Sequence, residues 1–125
     1  HMPREFPRTR RVGEQIQREL AALVHEEVKD PRLGMVSISG VEVSSDLAHA
    51  KVFVSVLGDD AVVTASVQVL NNAAGFLRRK LGARMRLRIV PRLQFLYDRS
   101  LAEGARMDAL INAAISGKND TAEDE

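Results

Sequence analysis

Small and branched apolar residues occupy every second position from Ala48 to Val56, and this alternation is the strongest constraint on the fold. A period of two predicts a β-strand with one buried face. A second alternating run extends from Val36 to Val43 and changes phase at Gly40, which predicts a bulge in a hairpin partner. The short polar segment 44–46 supplies the turn between the two runs.

Helical spacing appears before the hairpin. Apolar residues recur every fourth position from Val12 to Val28, a spacing that aligns them on one face of a helix. Asp30 precedes Pro31, and the residue before a proline is driven out of the helical region. The sequence therefore predicts an amphipathic helix that ends near this dipeptide.

Helical spacing returns after the hairpin. Asp59 and Asp60 offer a cap to a helix with an apolar stripe from Val63 to Ala74. The stripe resumes with Leu77 and Leu81, and Gly82 is expected to close this second half. Gly75 lies between the halves, where glycine costs about 1 kcal/mol relative to alanine, so a kinked helix pair is predicted.

The remaining pattern completes an α+β fold. Alternation from Leu87 to Tyr97 predicts a third strand, and Pro91 favours an edge position or a bulge. Ser100 and Glu103 form a capping box for a last helix through about Ile115. The predicted order is helix, strand, strand, kinked helix pair, strand, helix, with the helices on one face of a three-stranded sheet.

Length and composition indicate one domain with two tails. We expect a basic N-terminal arm at residues 1–8 that includes a tag-removal scar, a folded domain at 9–116, and an acidic disordered tail at 117–125. Cysteine is absent, which excludes disulfides and thiolate zinc sites. Neither a membrane span nor a signal peptide is apparent, so we expect a cytoplasmic protein. No apolar stripe remains once the core positions are assigned, so we expect a monomer.

Charge is distributed unevenly along the chain. The 37 residues between Asp60 and Asp98 contain no acid. Their seven bases are Arg78, Arg79, Lys80, Arg84, Arg86, Arg88 and Arg92. The whole chain has 18 bases against 17 acids, so acids must concentrate elsewhere. This distribution favours a local positive patch that attracts a phosphate backbone.

The order of elements resembles the type II K-homology fold, which ordinarily grips nucleic acid with a G-x-x-G loop between two helices. No G-x-x-G occurs here, and the A-x-G kink Ala73-Ala74-Gly75 stands at the equivalent joint. Further matching segments are Asp30-Pro31-Arg32, Val43-Ser44-Ser45-Asp46-Leu47, Gly75-Phe76-Leu77-Arg78, Pro91-Arg92-Leu93-Gln94-Phe95 and Asp98-Arg99-Ser100. In this order, over roughly residues 8 to 115, they resemble the bacterial ribosome-binding factor A family.

That resemblance implies a non-catalytic assembly factor of the small ribosomal subunit. It implies binding to immature 30S particles and to 16S rRNA with its precursor, help in maturing the 5′ end of that RNA, and importance in the cold. Assembly GTPases are implied as cooperating partners. No cofactor, metal, membrane or small-molecule substrate is expected.

The candidate RNA-binding residues are the seven bases of the acid-free segment together with Arg8, Arg10 and Arg11, which lie at the end of the N-terminal arm and just beyond it. Arg78 is the first candidate because it follows the kink most closely. Arg84, Arg86, Arg88 and Arg92 are evenly spaced, so those within the third strand would form a stripe on one face. The non-functional interpretation of these bases is that they are ordinary solvent-exposed side chains and that the N-terminal arm is a flexible tail.

The kink at Ala73, Ala74 and Gly75 has two interpretations. Small residues there allow close packing, and the kink could also present N–H groups to a phosphate.

Aromatic residues are few, with four phenylalanines and one tyrosine, and most occupy positions typical of a core. We therefore expect recognition of RNA shape and phosphates rather than base stacking. Two alternatives remain. One is a metal-dependent ribonuclease that uses Asp59, Asp60 and Asp98. The other is a protein-docking module in which acids such as Glu26 and Glu27 bind a basic ribosomal protein or an assembly GTPase.

Overall fold

The computed structural model describes residues 7–100 and places the elements in the predicted order. The elements are α1 (Pro7–Glu27), β1 (Met35–Val43), β2 (His49–Leu57), α2 (Asp60–Asn72), α3 (Ala74–Met85) and β3 (Arg92–Tyr97). The α+β prediction with a kinked helix pair is confirmed over this range. The predicted last helix beyond Ser100, the acidic tail and residues 1–6 lie outside the described residues.

The three strands form one sheet in the order β1-β2-β3. β1 and β2 are antiparallel, as expected of a hairpin, whereas β2 and β3 are parallel. A parallel pair requires a crossover, and the α2–α3 pair supplies it. The register of β1 shifts between Ile38 and Gly40, which confirms the predicted bulge and explains the change of phase.

The core lies between the sheet and the helices. Ala50, Val52, Val54 and Val56 of β2 turn their side chains to this side and are buried. The helices cover them with Ile16, Leu20, Leu23, Val24, Leu70, Leu77 and Leu81, and β3 adds Leu93 and Phe95. One face of the sheet is thus covered by all three helices, as the resemblance implies. Among residues 7–100, no helix is long and apolar enough to cross a membrane.

The first helix begins earlier than its apolar pattern indicates. It starts at Pro7, a residue suited to the first helical position because its fixed φ is pre-set for a helix and its missing N–H would lack a partner there. Arg8, Arg10 and Arg11 therefore lie in the first turns of α1 rather than in an extended arm. The interpretation of these three arginines as part of a tail is wrong.

The predicted boundary between α3 and β3 is also wrong. α3 continues through Gly82 to Met85 and ends at Arg86, which takes a left-handed conformation with φ of 54°. A β-carbon at Gly82 would lie 2.8 Å from Cγ2 of Val90, so this glycine lets the following loop pack against the helix. The loop occupies residues 87–91, and β3 begins only at Arg92. Tertiary packing thus overrides the alternation that begins at Leu87.

Candidate nucleic-acid interface

The kink between α2 and α3 is centred on Ala73. Its backbone angles, φ of −90° and ψ of 1°, depart from those of a regular helix. Its N–H still donates to the carbonyls of Val69 and Leu70 at 3.0 and 3.1 Å, and its carbonyl accepts from Leu77 at 2.8 Å. Hydrogen bonding therefore continues through the bend, and the predicted kink is confirmed. No side chain caps the start of α3.

Gly75, in the first turn of α3, is exposed and is not required by packing. Among the described glycines, only Gly58 has a positive φ in the left-handed range, so Gly75 has a backbone conformation open to other residues. A β-carbon at Gly75 would find only Nη1 of Arg79 within range, at 4.0 Å. The expectation that a small residue here allows close helix packing is wrong. The position instead leaves open space beside the helix backbone.

A hollow of about 240 Å³ lies between the kink and β3. Its lining is Ala74, Gly75, Arg78, Arg92 and Leu93, and we call it the kink hollow. Two arginines line it and no acid does, in agreement with the acid-free segment of the sequence. The structure thus brings together the kink and two of the predicted RNA-binding residues.

Arg78 has a structural contact as well as a place in the hollow. Its Nε and Nη2 both donate to the carbonyl oxygen of Val90, at 3.0 and 2.9 Å. The guanidinium has five N–H donors, so three remain for other partners. Arg78 therefore fixes the loop that precedes Arg92 while exposing the rest of its charge.

The predicted arginine stripe on the third strand does not exist. Arg84 lies on α3, Arg86 ends that helix and Arg88 lies in the loop, so only Arg92 belongs to β3. Arg84 contacts two acids of α1, with Nε 3.5 Å from Glu19 and Nη2 3.6 Å from Glu26. These ion pairs join α1 to α3. Arg84 thus lies on α3 beside α1 and not on the third strand, where it was expected.

The other predicted bases are distributed over the surface. Arg79 reaches back toward Gly75, and Lys80 places its ammonium 5.6 Å from the ring centre of Phe76. Arg86 and Arg88 are exposed beyond the far end of α3. Arg8, Arg10 and Arg11 begin a helix of 21 residues that spans roughly 30 Å, and its opposite end lies near the kink. They are not brought to the kink hollow.

Asn71, which sequence reasoning missed, clamps α2 to β3. Its Nδ2 donates to the carbonyl of Phe95 at 3.0 Å, and its Oδ1 accepts from the Phe95 N–H at 2.8 Å. Both backbone groups of one strand residue are thereby satisfied by one amide. The partner is 24 residues away, so no local pattern marks the contact.

A second recess lies on the other side of the kinked helix pair, against the end of α1. It has a volume of about 290 Å³, and we call it the Phe76 cleft. Its lining is Glu27, Val28, Lys29, Asp30, Arg32, Val69, Asn72, Ala73 and Phe76. Most aromatic residues are expected to lie in the core, as Phe95 does at 1% exposed, and Phe76 is an exception at 37% exposed.

The Asp30 and Arg32 side chains at this cleft form a two-contact ion pair. Nε and Nη2 of Arg32 donate to the two carboxylate oxygens of Asp30 at 3.1 and 2.8 Å. These hydrogen bonds, with one from the Arg32 backbone N–H, lower the pKa of Asp30 from 3.8 to about 2. Both charges are therefore already matched within the turn that follows α1.

Two of the three aspartates considered for a nuclease have separate hydrogen-bonding roles, and Asp60 lies in the first turn of α2. Asp59 caps α2 by accepting from the N–H of Val62 at 3.0 Å, as the cap prediction requires. Asp98 accepts from the hydroxyls of Ser39 and Ser100. Within residues 7–100, no three His, Asp or Glu side chains are grouped to hold one metal ion. The suggested metal centre is not assembled there.

Comparison with known proteins agrees with the sequence resemblance. A profile described as ribosome-binding factor A matches residues 8–111. Ribosome-binding factor A of Thioalkalivibrio sulfidiphilus is 59% identical over 115 residues, covering 92% of this chain and 89% of the relative. The crystal structure of the Thermus thermophilus factor has a TM-score of 0.65 at 28% identity and covers 73% of this chain and 97% of its own.

A third match is a homology model of the Thermus thermophilus factor as fitted into a cryo-EM map of a 30S complex with that factor. It has a TM-score of 0.60 at 30% identity and covers 70% of this chain and 91% of that one. The sequence match extends from the start of α1 past the end of β3, and the folds agree. This chain belongs to the ribosome-binding factor A family.

Proposed function

We propose that this protein is a non-catalytic assembly factor that binds the small ribosomal subunit through RNA phosphates held in the kink hollow. The observation that carries the proposal is the hollow itself, where Arg78, Arg92 and an exposed helical glycine meet without any acid. A groove lined by one sign of charge attracts a polyanion more strongly than the chain's small net charge would suggest.

Gly75 supports a close approach by a phosphate. Glycine in a helix costs about 1 kcal/mol relative to alanine, and neither φ nor packing at this position requires it. A phosphate could therefore come closer to the α3 backbone than a β-carbon would allow. The start of a helix favours an anion because its N–H groups carry partial positive charge.

Membership of the family supports the small ribosomal subunit as the partner of this protein. The Thermus thermophilus relative is described in a complex with 30S, and membership of the same family supports the same partner here. The proposal extends to immature 30S particles in the cytoplasm and to 16S rRNA and its precursor near the 5′ end, with a role in processing that end and in growth in the cold. Any step that consumes nucleotide would come from a partner GTPase, since the sequence contains no P-loop.

The mechanism would consist of binding energy alone. A protein shifts RNA between two conformations only to the extent that it binds them with different affinity. Contacts to phosphates supply affinity that falls as salt rises, because bound counterions are released from the RNA. The factor would thus favour the RNA conformation that places a phosphate at the kink hollow.

Co-sedimentation with small ribosomal subunits at several salt concentrations tests the proposal. Arg92→Gln is expected to reduce the slope of log affinity against log salt by about one, because one phosphate contact is lost. Arg18→Gln is the matched control, since Arg18 is an exposed arginine of α1 that lies near β1, at the opposite edge of the sheet. Equal slopes for the two variants would reject the kink hollow as the phosphate site.

Gly75→Ala provides a second test of the same site. The free energy of unfolding of the variant should rise by up to about 1 kcal/mol, because alanine favours the helix. The variant should therefore unfold at a higher denaturant concentration. It should also bind small subunits more weakly, because its methyl group would fill the approach to the backbone. Gly40→Ala is the control, since a β-carbon at Gly40 meets nothing within 4 Å and one at Gly75 meets only Nη1 of Arg79, at 4.0 Å. A stabilised Gly75→Ala protein with full affinity would contradict the proposed approach.

A further inference from the structure

We infer that the Phe76 cleft binds one unstacked RNA base, with the Phe76 ring as the stacking surface. This inference rests on the proposed function, since it assigns a second contact to the same RNA. It reverses the expectation, drawn from the scarcity of aromatic residues, that this protein recognises RNA without stacking.

The exposure of Phe76 is the first argument. Four large apolar residues are conspicuously exposed among those described, and Phe76 is the only aromatic one. The other three are Met35, Leu57 and Ile89. Stacking on a phenylalanine ring is tolerant of base identity because every base has a π face. The cleft beside the ring, at about 290 Å³, is close to the lower limit of about 300 Å³ for small-ligand pockets.

The polar groups of the cleft suit a neutral base better than a phosphate. Asp30 and Arg32 neutralise each other, and Glu27 offsets Lys29, so the lining carries little net charge. Asn72 also lines the cleft, and its amide has no hydrogen-bond partner among residues 7–100. An amide offers both donors and an acceptor, which is the combination that base edges require.

Lys80 leaves part of the ring available. Its ammonium lies 5.6 Å from the ring centre, yet Lys80 is not part of the cleft lining. The ammonium therefore does not fill the space of the cleft beside the ring. Cation–π attraction between Lys80 and Phe76 would help to hold the ring in place for stacking.

The position of the cleft fits a continuous strand of RNA. Ala74, Gly75 and Arg78 line the kink hollow on one side of α3, whereas Ala73 and Phe76 line the cleft on the other. Gly75 and Phe76 are adjacent in the chain. A backbone that crosses the helix at Gly75 could thus leave a phosphate in the hollow and turn the neighbouring base into the cleft.

The test is binding of a fluorescent single-stranded RNA oligonucleotide by the full chain. Phe76→Leu keeps much of the apolar volume and removes the π face, so affinity should fall at least about fivefold, the lower end of the measured cost of losing one stacked base. The salt slope should not change, because no ion contact is lost. Phe76→Trp should restore the affinity. An oligonucleotide in which the bases are replaced by abasic sites should bind parent and Phe76→Leu equally.

Asn72→Ala should also weaken binding of the oligonucleotide without altering the melting temperature. The inference is overturned if Phe76→Leu and the parent bind the base-containing RNA equally while Arg92→Gln still lowers the salt slope. In that case the proposed function stands and only the base site is lost. If the parent shows no salt-dependent binding to either RNA or small subunits, the proposed function and the base site are both rejected.

Discussion

The two sides of the kinked helix pair differ in charge although they are separated by a single helix. The side facing β3 carries Arg78 and Arg92 with no acid in its lining, whereas the side facing α1 carries two acids and two bases. The difference arises because α1 contributes acids and the segment from α3 to β3 contains none. One helix can therefore carry the proposed phosphate site on one side and the proposed base site on the other.

The largest expected change in stability comes from the two neighbouring asparagines at the end of α2, which lie on the two sides being compared. Asn71→Ala should destabilise the fold by about 2 kcal/mol, because it leaves both backbone groups of the buried residue Phe95 without their partner. Asn72→Ala should change stability by less than about 0.5 kcal/mol, as expected of an exposed residue whose side chain makes no hydrogen bond within residues 7–100. Denaturant unfolding monitored by circular dichroism measures both. Similar losses in the two variants would remove the distinction between a structural and a binding amide.

Alanine substitution of the two glycines of α3 is expected to change the free energy of unfolding by a smaller amount, with opposite signs at Gly82 and Gly75. Alanine at position 82 would approach Val90 to 2.8 Å, and the cost of overpacking, about 1 to 3 kcal/mol, exceeds the gain in helix propensity of about 1 kcal/mol. Gly82→Ala should therefore destabilise the protein by about 1 kcal/mol, while Gly75→Ala stabilises it. The same unfolding experiment checks both signs. A stabilised Gly82→Ala protein would show that the loop moves away without cost.

Breaking the Asp30–Arg32 ion pair at the Phe76 cleft is expected to have the smallest effect on stability. Arg32→Gln should raise the pKa of Asp30 from about 2 toward 3.8, because the hydrogen bonds from Arg32 are the largest cause of the depression. Since the folded-state pKa is lowered, the pair stabilises the fold above the ordinary pKa of 3.8, and this contribution is lost as pH falls toward 2. NMR titration of the Asp30 carboxyl carbon measures the pKa, with Arg18→Gln as the control. An unchanged pKa in Arg32→Gln would mean that the pair is not formed in solution.

The fold was predictable where the determining pattern is local. The period of α1, the alternation of β2, the bulge at Gly40 and the break at Ala73 all depend on neighbouring residues, and each is found in the structure. The start of β3 was not predictable, because it depends on the contact of Val90 with Gly82 and with Arg78. The predicted stripe of arginines is wrong for the same reason, because it assumed a third strand that begins at Leu87.

The candidate site was predictable in its charge and not in its geometry. The absence of acids marked the segment that supplies Arg78 and Arg92, but it could not separate them from Arg84, which contacts α1. The roles proposed for Phe76 and Asn72 depend on the distance between the end of α1 and the kinked helix pair. A single sequence does not contain that distance.

The amide clamp of Asn71 has a consequence for the protein's behaviour at high concentration. β3 is an edge strand, and an unpaired edge is a template on which a second chain can add a strand and begin to aggregate. At Phe95 the outward N–H and C=O are already hydrogen-bonded to the side chain of Asn71. An incoming strand would therefore find no free backbone groups to pair with at this residue. The hollow beside this edge, the proposed phosphate site, can thus stay open while the amide clamp discourages self-association through the same edge.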